Sequence, residues 1–329
     1  MTRVAINGFG RIGRVFTRAI QGHDDIELIA VNDLTNKETL THLLKYDSVH
    51  RGFPREVKVV EDGIEINGKV VKCFSEKDPA QLPWKELNID VVIEATGFFR
   101  TKETASQHLV AGAKKVVISA PPKGDDVKSV VIGINEDILD GSEQVLSNAS
   151  CTTNCAAPMV KVIDELCGIA NGYITTIHSY TGDQRLHDAP HSDLRRARAA
   201  AVSIVPTTTG AAKAITKIFP HLDGHMGGCG IRVPVPDGSL TDITCIVQNS
   251  VTEEQINEAF RSAANGELSG ILQFTEDPIV SIDIVGNPYS CIFDAGLTSV
   301  IGNMVKVVGW YDNEAGYSNR LVDLIKKIA

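Results

Sequence analysis

Three features of the sequence predict an α/β chain in which a doubly wound parallel sheet is followed by an α+β domain with a mixed, largely antiparallel sheet. Short apolar strands alternate with longer amphipathic segments over the first half. A glycine-rich turn follows the first strand. Longer β-type runs dominate after residue 150. In order, Val4-Ala5-Ile6, Ile26 to Val31, Val91 to Ala95, Val116 to Ser119 and Val130 to Ile134 read as buried strands, rich in Val and Ile and bounded by turn residues. Gly10 to Gln21 and Glu103 to Ala111 read as the helices between them. Val57 to Phe74 alternates as hairpins do, with turns at Asp62-Gly63 and Asn67-Gly68. Past residue 150, Thr152 to Leu166 reads as a helix despite Pro158. Tyr173 to His178, Asp242 to Val251, Ile279 to Ile284 and Met304 to Trp310 read as strands. Thr252 to Asn265 is a helix opened by a capping box, and Ser318 to Ile328 closes the chain as an amphipathic helix. The expected division is a first domain over 1–150, a second over 151–313, and a terminal helix, 314–329, packing back on the first.

Composition narrows the function. The chain has 329 residues and is 43% hydrophobic, enough apolar surface to offset chain entropy and exclude disorder as its main state. Its net charge of −9 argues against a general nucleic-acid or membrane binder, which needs a basic face. No apolar run reaches the ~18 residues of a membrane helix. Met1-Thr2-Arg3 leads straight into a strand with no signal-peptide pattern, so a soluble, cytoplasmic protein is expected. Seven cysteines show neither a disulfide framework nor CxxC spacing, and HExxH is absent. Reduced thiols and no metal are expected.

The first strand runs into Gly8-Phe9-Gly10-Arg11-Ile12-Gly13, a GxGxxG turn of the Rossmann type opening a helix. Gly8 permits the tight turn, Gly10 lets backbone N–H groups approach a pyrophosphate, and Gly13 allows close helix–strand packing. Asp33 ends the second strand twenty residues after Gly13, where a carboxylate meets the adenine ribose hydroxyls and repels a 2′-phosphate. NAD is therefore favoured over NADP.

Cys151 lies where an apolar strand gives way to a helix, among Ser150, Thr152 and Thr153. A lone cysteine is ordinarily an inert small hydrophobe, which suits the other six. At a helix N-terminus with polar neighbours, however, a thiol is expected to drop from ~8.5 toward neutrality and to act as a nucleophile. His178, at the end of a β-run, is the candidate partner that stabilises the thiolate and moves protons.

The segments Asn7 to Arg14, Ser147 to Cys155 (SNASCTTNC), Thr207 to Ala214 (TTTGAAKA) and Trp310 to Ser318 (WYDNEAGYS) closely resemble the phosphorylating glyceraldehyde-3-phosphate dehydrogenases, in order and spacing over essentially the whole chain. The resemblance implies Cys151 as nucleophile and His178 as acid–base partner. It implies phosphorylating oxidation of glyceraldehyde 3-phosphate to 1,3-bisphosphoglycerate through a hemithioacetal and a thioester on Cys151. It places Thr181 and Arg232 on the substrate phosphate, and Ser150, Thr152, Thr209, Gly210 and Arg196 on inorganic phosphate. For NAD it adds Arg11, Ile12, Lys77 and Ser119, with Asn313 on the nicotinamide carboxamide. Leu34 and Pro190 match NAD-preferring members. The polar stretch Tyr180 to Val205 corresponds to a loop that contacts a neighbouring subunit, implying a homotetramer. Two departures stand out: Asp237 adds a charge near Arg232 in sequence, and Ala315 replaces a common Thr. An erythrose-4-phosphate dehydrogenase and a thiol redox sensor on the same fold are the alternatives.

Overall fold

The computed structural model describes all 329 residues, which divide into two compact units. The first comprises residues 1–130, 136–149 and 318–329. The second comprises 131–135 and 150–317.

The first unit is built on a nine-stranded sheet. Its order is Lys128–Ser129, Val145–Ser147, Lys115–Ile118, Val91–Glu94, Thr2–Asn7, Ile26–Asn32, Lys69–Phe74, Gly63–Ile66, Val57–Val60. The first seven strands run parallel, and the last two are the antiparallel insertion. The hairpin at Asn67-Gly68 uses positive φ at both residues, 49° and 81°, as a two-residue turn demands. Ala5, Ala30, Trp84, Ile89 and Val92 form one buried layer. The helix Arg11–Ala19 follows the first strand directly. The expected helix at Glu103 to Ala111 is two short ones, Lys102–Ala105 and Gln107–Val110. Val130 to Ile134 is not a strand. Val131 O accepts from both Ile134 N and Asn135 N, and Gly133 at φ 85° turns the chain. The β-branched run was misleading because a turn needs only those two local hydrogen bonds and one left-handed glycine.

The second unit carries an eight-stranded mixed sheet. Its order is Val205–Thr207, Met226–Val233, Ile169–Ser179, Ser239–Val247, Met304–Tyr311, Cys291–Asp294, Leu272–Thr275, with Ser299–Ile301 also paired to Met304–Tyr311. Two pairings are parallel and the rest antiparallel. Helix Cys151–Cys167 packs on the middle of this sheet and continues through Pro158. Gly309 makes room beneath it: a Cβ there would lie 2.6 Å from Met159 Sδ of the helix and 2.5 Å from Cys291 Sγ of the neighbouring strand. Helix Glu253–Asn265 carries the expected capping box between Thr252 and Gln255. Ile279 to Ile284 is a turn instead of a strand. Asp283 Oδ2 accepts from Val280 N at 2.8 Å, a side-chain bond that competes with any ladder.

Candidate functional site

In the first unit, the strand ends converge on a cavity of about 370 Å³ lined by Gly8, Gly10, Asp33, Leu34 and Lys77, among others. Phe98 and Phe99 add flat apolar walls. The glycines behave as the motif requires. Gly8 sits at φ 92°, and a Cβ there would lie 2.7 Å from Thr96 N. At Gly10 a Cβ would meet nothing within 4 Å, so the backbone is open to an approaching group. A Cβ on Gly13 would collide with Gly8 O at 2.7 Å. Asp33 is tied to the turn: Oδ2 accepts from Phe9 N at 2.9 Å and Oδ1 from Thr35 N at 2.9 Å. Its remaining lone pairs can accept from ribose hydroxyls. The Arg11 guanidinium is engaged by Asp47 at 2.5 Å. That contact and N–H groups from Val49 and His50 outweigh burial and hold Asp47 at about 2. Ile12 is half-buried at the helix start, and Ser119 follows strand Lys115–Ile118, its N–H bonded to Glu94 O. These features fit a dinucleotide: an open glycine backbone for pyrophosphate, a tethered carboxylate for ribose, and aromatic faces for a flat base.

Beneath this cavity runs a buried polar chain that the sequence reading missed. The Trp84 indole N–H donates to His108 Nδ1 at 3.0 Å. Since an indole only donates, the ring proton stands on Nε2, aimed at Glu94 Oε2 at 3.0 Å. Asn7 Nδ2 donates to the same oxygen at 2.6 Å, and Asn32 Nδ2 donates to Asn7 Oδ1 at 2.7 Å. Asn7 and Asn32 themselves line the cavity, and Glu94 lies two residues before its Thr96.

The second unit places Cys151, the candidate nucleophile. Ala149 precedes it at φ 54°, left-handed for a non-glycine residue. Ser150 is the helix N-cap and accepts from Thr153 N at 3.0 Å. Cys151 is thus the first residue of helix Cys151–Cys167, with Sγ 3.4 Å from His178 Nε2. His178 is the penultimate residue of its strand and pairs in parallel register with Arg232. Its Nδ1 lies 2.8 Å from Ser179 O and 2.8 Å from Arg232 Nη1, which itself donates to Ser179 O at 3.0 Å. Tyr311 presents its ring edge-on to His178, with its hydroxyl between Thr152 Oγ1 at 2.9 Å and Thr176 Oγ1 at 2.8 Å.

The electrostatics differ from the expectation of a near-neutral thiol. Burial pushes Cys151 up to about 11, outweighing the Arg232 charge and the helix N–H groups. Burial, aided by Arg232, pushes His178 down to about 3. A lone charge on either residue is costly there. Each group lies 3.4 Å from the one side chain that could supply it with the opposite charge.

Around this pair, Arg196 donates to Asp183 at 2.6 Å and to Thr207 Oγ1 at 3.0 Å, and the Thr181 hydroxyl donates to Asp183. Thr209 Oγ1 accepts from Ala211 N at 3.2 Å, at the start of helix Ala211–Ile218, where Gly210 is exposed. Thr152 is buried with its hydroxyl turned to Tyr311. Ser179 Oγ and Ser239 Oγ both donate to Asn313 Oδ1, at 2.8 and 2.7 Å. Asp183, Tyr311, Ser179 and Ser239 were not singled out from sequence; only strand register brings the last three together. Asp237 is buried at 2% exposure and is pushed up to about 9 by burial and by Asp312 and Glu314.

Two family models match. One, described as "Glyceraldehyde 3-phosphate dehydrogenase, NAD binding domain", covers residues 2–102; the other, its "C-terminal domain", covers 150–313. Among similar curated proteins, glyceraldehyde-3-phosphate dehydrogenase 2 of Streptomyces avermitilis is 57% identical over 98% of this chain and 97% of its own. The glyceraldehyde-3-phosphate dehydrogenase of Mycobacterium avium is 55% identical over 98% and 97%. That of Thermotoga maritima is 56% identical over 99% and 98%.

Proposed function

The chain belongs to the glyceraldehyde 3-phosphate dehydrogenase family, and on that premise we propose that it oxidises glyceraldehyde 3-phosphate to 1,3-bisphosphoglycerate with NAD and inorganic phosphate. The observation that carries the reading is the 3.4 Å contact between Cys151 Sγ, at a helix N-terminus, and His178 Nε2. In the tautomer that donates Nδ1–H to Ser179 O, Nε2 is the free base, and Arg232 Nη1 then donates to Ser179 O and not to the ring. Nε2 takes the thiol proton as Sγ bonds to the aldehyde carbon and returns it to the new oxygen, giving a hemithioacetal. Bound NAD supplies the hydride acceptor. Nε2 removes the hydroxyl proton as the carbon–hydrogen bond breaks, leaving a thioester. Attack by inorganic phosphate releases the acyl phosphate and restores the thiol. Positioned proton transfer of this kind contributes ~10²–10⁴-fold.

Gly10, Arg11 and Ile12 of the glycine turn would meet the pyrophosphate, with Gly8 and Gly13 shaping that turn, Asp33 would hold the ribose, Lys77 and Ser119 would line the groove, and Asn313 would bond the nicotinamide. Arg232 and Thr181 would hold the substrate phosphate. Gly210, Thr209, Ser150, the Thr152 backbone and Arg196 would receive the attacking phosphate. A homotetramer is supported by the long loop, where Leu186, Leu194, Val202 and Ile204 are 69–81% exposed. Seven free cysteines fit a cytoplasmic location, and no helix is long and apolar enough to cross a membrane.

The test is NADH formation from glyceraldehyde 3-phosphate, with and without phosphate, repeated after iodoacetate. Turnover should require phosphate and vanish with one thiol modified, at Cys151. Turnover indifferent to phosphate, or faster with erythrose 4-phosphate, would overturn the assignment.

A further inference from the structure

Three neighbouring strands meet at one end of the mixed sheet: Ile169–Ser179 and Met304–Tyr311 finish there, and the antiparallel Ser239–Val247 between them starts there. The register Ser239↔Tyr311 and Ile177↔Leu240 brings Ser179, Ser239 and Asn313 together. All three are buried, at 0%, 1% and 6% exposure. The backbone carrying Asn313 is rigid. The neighbouring Asp312 accepts from Glu314 N at 2.8 Å and Ala315 N at 2.7 Å through one oxygen, and from Gly286 N at 2.7 Å through the other. The freedom left to Asn313 is a half-turn of its side-chain amide, which exchanges oxygen and nitrogen.

Proton counting decides that half-turn. Ser239 Oγ accepts the Ser179 backbone N–H at 3.1 Å, so its own proton needs an acceptor, and the one in reach is Asn313 Oδ1 at 2.7 Å. The Ser179 hydroxyl has the same single acceptor, at 2.8 Å. Reversing the amide would set two hydroxyl protons against an N–H2 group and leave both without a partner in a buried site.

We propose that Ser179 and Ser239 are a pair of positioning residues that fix the Asn313 oxygen inward and so reserve its N–H2 as the donor for the nicotinamide carboxamide carbonyl. The pair thereby sets which face of the nicotinamide ring meets the substrate. Ser179 directly follows His178, so one strand end carries both the proton acceptor and part of the device that orients the ring. This inference rests on the proposed use of NAD.

The experiment compares binding of NAD and of ADP-ribose, which lacks the nicotinamide, by calorimetry in wild type, Ser179→Ala, Ser239→Ala and the double variant. The double variant should bind NAD about tenfold more weakly and ADP-ribose within about twofold of wild type. Ser179→Thr should restore most of the loss. With C1-deuterated substrate, deuterium should appear on both faces of the reduced ring in the double variant and on one face in wild type. In an Asn313→Ala background the serine substitutions should add nothing. Unchanged NAD affinity in the double variant would overturn the proposal, and so would equal losses for NAD and ADP-ribose. Failure of the wild type to bind either ligand would instead overturn the use of NAD.

Discussion

Arg232 Nη1 stands 2.8 Å from His178 Nδ1, placed there by the parallel register of their strands. The guanidinium disfavours the imidazolium, adding to the effect of burial. It also favours the Cys151 thiolate, so one cation biases the two members of the pair in opposite senses. Replacing Arg232 with Leu should raise the His178 pKa and lower kcat/KM about 30- to 150-fold, from loss of a charged hydrogen bond worth ~2–3 kcal/mol. An NMR titration of the imidazole and steady-state kinetics check both parts. An unmoved imidazole titration would remove Arg232 from this role.

Removing His178 leaves Cys151 with its burial and without the imidazole 3.4 Å away. In His178→Asn, alkylation by iodoacetate at pH 7 should fall at least tenfold and recover only as the pH climbs toward the thiol value of about 11. Stopped alkylation followed by mass spectrometry gives the rates. Equal rates in variant and wild type would show that the two residues do not act as a unit.

His178 also bears on acid stability. Its folded pKa of about 3 lies below the ordinary 6.5, so the unfolded chain binds the extra proton between those values. This contribution is fully present above pH 6.5 and is lost as the pH falls toward 3. Urea unfolding across that window should show a shallower acid loss for His178→Gln than for wild type. A parallel pair of curves would contradict the sign.

The buried chain Trp84–His108–Glu94–Asn7 invites a separate measurement. Replacing His108 with Phe would strand the Trp84 N–H and one Glu94 acceptor, at a cost of ~2–4 kcal/mol. A lowered thermal midpoint by circular dichroism should be accompanied by weaker ADP-ribose binding, because Asn7 and Glu94 flank Gly8 and Thr96. An unchanged midpoint would mean that the chain contributes little.

Much of this protein was legible in its residues because local chemistry decided it. The glycines of the first turn, the Thr252 capping box and the Asn67-Gly68 hairpin each need only their neighbours. Val130 to Ile134 and Ile279 to Ile284 misled because β-branched runs also occur in turns closed by one glycine or one aspartate. Strands Met226–Val233 and Cys291–Asp294 escaped notice, the first because its glycines mask a pattern that makes sense only beside Ile169–Ser179. Helix Lys37–Lys45 was missed as well, although Asn36 caps it. At the site, Cys151 and His178 had local or family signals, whereas Ser179, Ser239 and Tyr311 acquire meaning only through register. The thiol expectation missed because one-dimensional context shows the helix N-terminus and hides the burial that opposes it.

Gly309 has a bearing on how variants of this enzyme should be chosen. The missing methyl group there leaves room for three sulfurs, that of Cys291 on the neighbouring strand and those of Cys155 and Met159, one and two turns along the helix from Cys151. An alanine at 309 would have to displace Cys291 Sγ and the end of the Met159 side chain, disturbing what the helix rests on and leaving its tip untouched. Libraries that sample only the mouth of the site would overlook this support.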